Sequence, residues 1–318
     1  MTNSPTPPED IDPEALEAEA EAQRPVMEDA TVDDKIAQSL GIKIDSPIQP
    51  VRLTETDTFN FRCHKDVPCW NMCCRNIDLT LTPYDILRLS KRLDLRPAEF
   101  LLQYTVPALH DKSDLPVAKM KTTGEDGKGP CPFNQPEGCT VYEDRPAACR
   151  YYPLGMVSVK MKDMEGKDDF YFLVKEEHCQ GHKESKTQTV GEFRGEQGAF
   201  PFERVNRGWI DILMKMASWK VLGGPMGKEP SAQTKKMFFM ATTDVDSFRR
   251  FVFESKFLQT YHVDDTAQEI IKDDDEALLA LAFDWLKNVL FNEATITLKE
   301  DVMQQAIARA REELAGGG

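Results

Sequence analysis

Residues 63–75, CHKDVPCWNMCCR, contain four cysteines, two of them adjacent. Eight cysteines lie between residues 63 and 179, and the rest of the 318-residue chain has none: Cys63, Cys69, Cys73, Cys74, Cys131, Cys139, Cys149 and Cys179. Ordinary buried cysteines would be scattered along the chain, because they act there only as small apolar residues. The clustering therefore predicts that these thiols act together.

Crosslinking, nucleophilic catalysis and metal binding are the three chemistries that such thiols could perform. The first residues, MTNSPTPPEDIDPEALEAEA, lack the basic start and apolar middle of a secretory signal. We therefore expect a cytoplasmic protein, and disulfides are rare in that reducing compartment. A nucleophilic cysteine needs one or two partners rather than seven. Metal binding accounts best for the cluster.

The cysteine spacings are C-x5-C-x3-C-C, then C-x7-C-x9-C, then Cys179 after 29 more residues. Thiolates are soft ligands that select zinc, copper(I) or the iron of iron–sulfur clusters. The irregular spacings differ from the two C-x2-C knuckles of zinc ribbons, which favours an iron–sulfur cluster and leaves zinc as the alternative. In extended chain the adjacent Cys73 and Cys74 would point apart. One could then bind metal while the other packs in the core, or each could bind a different metal.

Charged and imidazole side chains accompany the cysteines. Five cations within four residues of a cysteine could offset thiolate charge: Arg62, Lys65, Arg75, Arg145 and Arg150. Their alternative role is that of ordinary surface cations. Three histidines, His64, His178 and His182, could each replace a thiolate as a ligand, but a role other than ligation is favoured for each of them.

Four motifs together resemble the YkgJ-like cysteine-cluster family, a group of zinc- or iron-chelating domains: CHKDVPCWNMCCR, GPCPF, GCTVYEDRPAACRYYPLG and EEHCQGH. The resemblance covers roughly residues 59–200. Its most specific part is RPAACRYYP, which spans residues 145–153. The resemblance implies ligand roles for all eight cysteines as a set.

The resemblance also raises an enzyme as an alternative function. A flagellin lysine methylase has a similar cysteine cluster and is associated with an iron–sulfur cluster, so a cluster-dependent enzyme that modifies protein side chains is the alternative. Tyr151 and Tyr152, with the nearby arginines, are candidates for such chemistry, although packing and charge balance are favoured for them. No Gly-rich loop after a strand predicts a Rossmann-type site for S-adenosylmethionine. Whether the protein is an enzyme stays open.

The chain is expected to be α+β, with three segments of different character. Residues 1–48 are rich in Pro, Glu and Ala and predict a disordered acidic arm with a transient helix at 13–23. Residues 49–200 predict a small cysteine-rich metal-binding domain with short helices and a β-hairpin. Residues 201–318 predict a mainly helical C-terminal region.

Local patterns predict individual elements of this fold. Helices are expected to start at TPYD and RPAE, near residues 82 and 97, where Pro follows a capping position. Strands at 157–162 and 170–174 form the hairpin, and 116–121 is a candidate third strand. Apolar residues at helical spacing then predict core-packed helices around residues 209–219, 248–252 and 278–289, and a last helix at 302–314.

Charge and hydropathy limit the partners. The net charge is −15, and residues 1–50 carry 12 acids against 3 bases, which is −9 of that total. No block of Lys and Arg forms the basic face that nucleic acid requires. No apolar run approaches the roughly 20 residues that cross a bilayer. We therefore expect metal ions as partners, a protein as a further candidate, and neither nucleic acid nor membrane.

Overall fold

A computed structural model describes most of the chain, namely residues 48–75, 77–124, 129–159, 168–222 and 230–304. The predicted transient helix at 13–23 lies outside these residues, as does the part of the predicted last helix from residue 305 onward.

Helices and short strands alternate through the first half of the chain, and helices dominate the second. The helices are α1 (Pro83–Arg92), α2 (Pro97–Tyr104), α3 (Ala147–Tyr151), α4 (Val190–Glu196), α5 (Phe200–Leu222), α6 (Ala232–Thr243), α7 (Val245–Glu254), α8 (Phe257–Thr260), α9 (Asp265–Asp273) and α10 (Asp275–Phe291). The strands are β1 (Ile48–Leu53), β2 (Thr58–Asn60), β3 (Thr80–Leu81), β4 (Thr105–Leu109), β5 (Pro116–Met120), β6 (Asn134–Gln135), β7 (Gly138–Cys139), β8 (Leu154–Val159), β9 (Asp168–Val174), β10 (Thr187–Thr189), β11 (Tyr261–His262) and β12 (Thr297–Leu298). This mixture, with a helical C-terminal region, confirms the predicted α+β class.

Two compact units divide the chain, and they are not consecutive in sequence. Among the described residues, the strand unit comprises 48–62, 154–159, 168–176 and 182–191, and the cysteine unit comprises 63–75, 77–124, 129–153, 177–181, 192–222 and 230–304. All eight cysteines belong to the cysteine unit. The predicted boundaries near residues 48 and 200 stay predictions.

The strand unit contains the predicted hairpin. Strands β8 and β9 pair antiparallel from Leu154↔Leu173 to Val159↔Asp168, which confirms that element and starts it three residues earlier than predicted. On its other side β9 pairs with β1, so the sheet order is β1-β9-β8. A second antiparallel pair joins β2 to β10.

The cysteine unit has its own three-stranded sheet, of order β3-β5-β4. The candidate strand at 116–121 is β5, and it lies in the middle of this sheet rather than beside the hairpin. Helix α1 begins as predicted: Thr82 accepts a hydrogen bond from the Asp85 amide, and the Asp85 carboxylate accepts one from the Thr82 amide. This reciprocal pair satisfies amide groups that the first helical turn leaves without a partner.

The helical C-terminal region surrounds a large apolar core. Along α5, Trp209, Ile212 and Met216 are buried, as their spacing predicts. Helix α10 buries a face that includes Leu278 and Leu286, and it begins after the N-cap Asp274, whose side chain accepts hydrogen bonds from the Glu276 and Ala277 amides. These Trp and Met residues therefore pack in the core. In the part of the chain that the structure describes, no helix is both long and apolar enough to span a membrane.

Candidate metal centre

The first cysteine segment folds into consecutive tight turns. The Met72 amide donates to the Cys69 carbonyl at 3.0 Å, and residues Met72–Cys74 form a 3₁₀ turn after the left-handed Asn71. The sulfurs of Cys73 and Cys74 lie 4.0 Å apart. The expectation that they point apart assumed extended chain and is wrong, because the 3₁₀ turn brings both thiols to one place.

The second cysteine segment, which carries Cys131 and Cys139, is bound directly to the first. The Cys131 amide donates to the Cys74 carbonyl at 2.8 Å. The Asn71 side chain donates to the Gln135 carbonyl at 2.7 Å. Cys139 ends a two-residue hairpin in which it pairs with Asn134. These contacts bring the two cysteine segments together, although Cys131 lies 57 positions after Cys74.

Gly138 fixes the turn before Cys139. Its φ of +134° belongs to a region that residues with a side chain rarely adopt, and a Cβ there would lie 3.3 Å from the Trp70 ring. Trp70 belongs to the first cysteine segment, so this close approach is a further contact between the two.

The third cysteine segment is the short helix α3, which carries Cys149 and is held at both ends. At its start, the Ala147 amide donates to the buried Asp85 carboxylate at 2.8 Å. Near its end, the buried Arg150 donates to three carbonyl oxygens, those of Arg145 (2.9 Å), Gln197 (2.8 Å) and Glu143. The Arg150 guanidinium also lies 4.2 Å from the centre of the Phe202 ring. The position of Cys149 is therefore set by the hydrogen bonds that the Asp85 and Arg150 side chains make with the backbone around it.

The fourth cysteine segment, residues 177–181, returns Cys179 to the first. The Gln180 amide donates to the Cys69 sulfur at 3.2 Å. Burial, and to a lesser degree the nearby Cys69, raises the pKa of Cys179. The sulfurs of Cys69 and Cys179 are thus neighbours although 109 residues separate them.

Peptide N–H groups favour the ionised form of four of the sulfurs. The Gln180 amide donates to Cys69; at Cys131, Cys139 and Cys179 burial raises the pKa, and the N–H groups of Phe133, Val141 and Gly181 oppose that rise. Hydrogen bonds of this kind stabilise a negatively charged sulfur and tune metal–thiolate centres. The donor set, soft sulfurs with amide N–H groups beside them, fits zinc or an iron–sulfur cluster.

Without a bound cation, the gathered thiols oppose their own ionisation. Burial, followed by the nearby Cys73, Cys69 and Cys179, raises the pKa of Cys63 to about 11. Burial is also the first cause of the raised pKa of Cys131, Cys139, Cys149 and Cys179. The Cys149 side chain is exposed to solvent, yet many protein atoms surround its thiol. This combination is typical of a side chain in a concave surface. Protonated thiols are poor nucleophiles, which argues against a catalytic thiol at these positions.

The eight cysteines retain separate thiols, because none of them forms a disulfide. Within the described ranges, no three His, Cys, Asp or Glu side chains lie in an arrangement that could hold one metal ion as they stand. The structure therefore brings the sulfurs into one region through contacts between the cysteine segments and through close pairs such as Cys73 and Cys74. The ligand roles of the eight cysteines stay a prediction.

The neighbouring residues singled out from the sequence have structural contacts. Arg145 is buried and donates to the Tyr142 carbonyl and to Gln197. The Tyr151 hydroxyl donates to the Glu203 carboxylate. In the strand unit, His182 hydrogen-bonds the Val174 carbonyl at 3.1 Å, as expected of a packed histidine rather than a ligand.

Sequence reasoning missed two residues that position the cysteines. Asp85 was identified only as part of a helix cap, yet its second carboxylate oxygen also holds α3. Gln197 accepts hydrogen bonds from both Arg145 and Arg150. No local pattern could have indicated Gln197, because its partners lie 47 and 52 residues away.

Comparison with known proteins now identifies this region. Residues 62–180 match the family model CxxCxxCC, whose description reads "Putative zinc- or iron-chelating domain". These residues are therefore similar to that chelating domain. The domain includes all eight cysteines, and the match supports metal binding in general. No curated protein and no solved structure matches the chain.

Proposed function

We propose that this protein holds an iron–sulfur cluster with its clustered cysteines, with zinc as the alternative metal. The observation that carries the proposal is the convergence of cysteine segments far apart in sequence. The Cys73 and Cys74 sulfurs lie 4.0 Å apart, the Cys131 amide donates to the Cys74 carbonyl at 2.8 Å, and the Gln180 amide donates to the Cys69 sulfur at 3.2 Å. An amide donor to sulfur favours the thiolate, which is the form that binds metal. The proposal includes a cytoplasmic setting, where eight thiols remain reduced.

A bound cation would reverse the electrostatics of the cluster. Thiols that repel each other when ionised, as Cys63 and Cys73 do, attract the same positive ion. Burial raises the pKa of both Cys63 and Cys139, and the positive charge of Arg145 opposes that rise, so it would also offset part of the remaining negative charge. Because the raised pKa values mean that protons must leave first, metal binding should release protons and weaken at low pH.

Iron–sulfur is preferred to zinc because of the ligand spacing. The sequence has no pair of C-x2-C knuckles of the type that holds structural zinc. A [4Fe–4S]²⁺ cluster and a zinc ion each take four thiolates and leave a similar net charge of about −2, so charge does not separate them.

The deciding experiment is anaerobic purification followed by an absorption spectrum and quantification of iron, sulfide and zinc. We expect a brown protein with a broad visible band and with iron and sulfide in equal amounts, and bleaching of that band in air. A colourless protein with stoichiometric zinc would overturn the iron–sulfur assignment, and a metal-free protein would overturn the function. Chelation should also lower the thermal midpoint, because site formation and folding are coupled.

The enzyme alternative stays a hypothesis. Its candidate residues already have partners: Tyr151 contacts Glu203, and Arg150 contacts three carbonyl groups. These contacts favour packing and charge balance for both residues. Modification of lysines on a partner protein, only when the metal centre is intact, would support the enzyme.

A further inference from the structure

Cys73 and Cys74 are neighbours in space as well as in sequence. Their sulfurs lie 4.0 Å apart, because the 3₁₀ turn Met72–Cys74 brings both thiols to one place. A disulfide bond joins sulfurs that are about 2.05 Å apart. The two thiols are therefore within one change of side-chain rotamer of bonding to each other.

The main chain of this pair is held by hydrogen bonds. The Cys74 amide donates to the Asn71 carbonyl at 3.2 Å, and the Cys74 carbonyl accepts a hydrogen bond from the Cys131 amide at 2.8 Å. The Arg75 amide donates to the Met72 carbonyl at 3.1 Å. Closing the gap between the sulfurs therefore requires rotation of side chains rather than refolding of the segment.

The two thiols differ in their access to solvent. Cys73 is exposed, whereas Cys74 is only partly exposed. A small oxidant that arrives from solvent therefore meets Cys73 first, and Cys74 lies next to the sulfur that has reacted. Such an accessible thiol beside a resolving cysteine is typical of reversible cysteine oxidation.

We propose that Cys73 and Cys74 form a reversible vicinal disulfide by exchange with a small disulfide, RSSR. The Cys73 thiolate attacks one sulfur of RSSR, which forms Cys73–S–S–R and releases RS⁻. The Cys74 thiolate then attacks the Cys73 sulfur, which forms the bond between the two residues and releases the second RS⁻. Two electrons thereby pass from the protein thiols to RSSR, and the two thiol protons end on two molecules of RSH.

This crosslink has the properties of a switch rather than of a permanent support. Adjacent Cα atoms are about 3.8 Å apart across a trans peptide, which is closer than the roughly 4.4–6.8 Å of most disulfides. A disulfide under such strain is more easily reduced and belongs with the labile, regulatory class. Resting on the proposed metal function, the crosslink withdraws two thiolates from the metal site, so oxidation and metal binding compete.

The first measurement uses full-length wild-type protein that is stripped of metal by chelation, reduced, and treated anaerobically with oxidised glutathione. Remaining thiols are blocked with iodoacetamide, and trypsin then releases residues 66–75, which contain Cys69, Cys73 and Cys74. We expect a peptide that has lost two hydrogen atoms at Cys73 and Cys74, and dithiothreitol should reverse the loss. Unreacted thiols, glutathione retained on Cys73, or a crosslink from either residue to another cysteine would overturn the proposal.

Serine variants of the full-length protein test the order of the two steps. Cys74→Ser should stop at a glutathione adduct on Cys73, because no resolving thiol remains. Cys69→Ser is the matched control on the same peptide, and it should keep the crosslink between Cys73 and Cys74. A Cys74→Ser protein without the adduct, or a folded Cys69→Ser protein without the crosslink, would contradict the mechanism.

Failure of this inference differs from failure of the proposed function. The oxidised wild type should take up less metal than the reduced wild type, and dithiothreitol should restore the uptake; equal uptake would overturn the competition. A metal-bound wild type that forms no crosslink after metal removal overturns the inference only. A protein that forms the crosslink and never holds metal overturns the function and the competition, while the crosslink stands.

Discussion

Replacing Arg150 with lysine tests whether this side chain holds helix α3 and Cys149 in place. Arg150 is 6% exposed and donates to the carbonyl oxygens of Arg145, Gln197 and Glu143. A lysine ammonium is a compact charge on a flexible stem and lacks the planar fork of the guanidinium. We expect Arg150→Lys to keep one of the three hydrogen bonds.

The expected loss follows from those hydrogen bonds. A hydrogen bond to a charged group contributes about 1.5–3 kcal/mol, so two lost bonds cost about 3–6 kcal/mol of the free energy of unfolding. The contact with the Phe202 ring, at 4.2 Å from its centre, adds to the loss. For a chain of this size each kcal/mol lowers the thermal midpoint by roughly 2–4 °C, so a decrease of about 6 °C or more is expected.

Chemical and thermal denaturation of the wild type and the variant, in the same metal state, measure this effect. Arg207→Lys is the matched control, because Arg207 is exposed on α5 and the same substitution there should change stability by less than about 0.5 kcal/mol. If Arg150→Lys is as stable as Arg207→Lys, then the guanidinium does not hold α3 and the account of how Cys149 is positioned is wrong.

Two further predictions concern backbone conformation and pH. Gly138→Ala should destabilise the protein by more than about 1 kcal/mol, because φ there is +134°. Gly195→Ala, at an exposed position of helix α4, should be neutral or stabilising, and urea denaturation compares the two variants. Burial lowers the pKa of His110 below its ordinary value of 6.5, so its contribution is present above that pH and is lost as the pH falls through the folded-state pKa. Wild type should therefore lose more stability than His110→Gln between pH 7 and pH 5 in the same metal state, and equal losses would contradict this.

Elements specified by adjacent residues could be predicted from the sequence. Helix α1 follows from Thr82, Pro83 and Asp85, which satisfy its first amides locally. The β8–β9 hairpin follows from alternation on both sides of a turn signal. The buried faces of α5 and α10 follow from helical spacing of large apolar residues.

Pairings across long stretches of chain could not be predicted. Strand β5 was identified, but its position between β3 and β4 depends on registers such as Leu81↔Ala118 that no local pattern specifies. The clustering of the cysteines predicted that they converge, yet not which segments touch. Contacts such as Asn71 with Gln135 decide that, and they join residues 64 positions apart.

The peptide donors to sulfur have a consequence for how far this domain can diverge. The Gln180 amide donates to the Cys69 sulfur, and the N–H groups of Phe133, Val141 and Gly181 favour the thiolates of Cys131, Cys139 and Cys179, whatever side chain these four residues carry. Most substitutions at these four positions would leave the donors in place, and proline is the one common residue that would remove them, since it has no N–H. The surroundings of the sulfurs thus depend on the path of the main chain, so the residue types between the cysteines can vary.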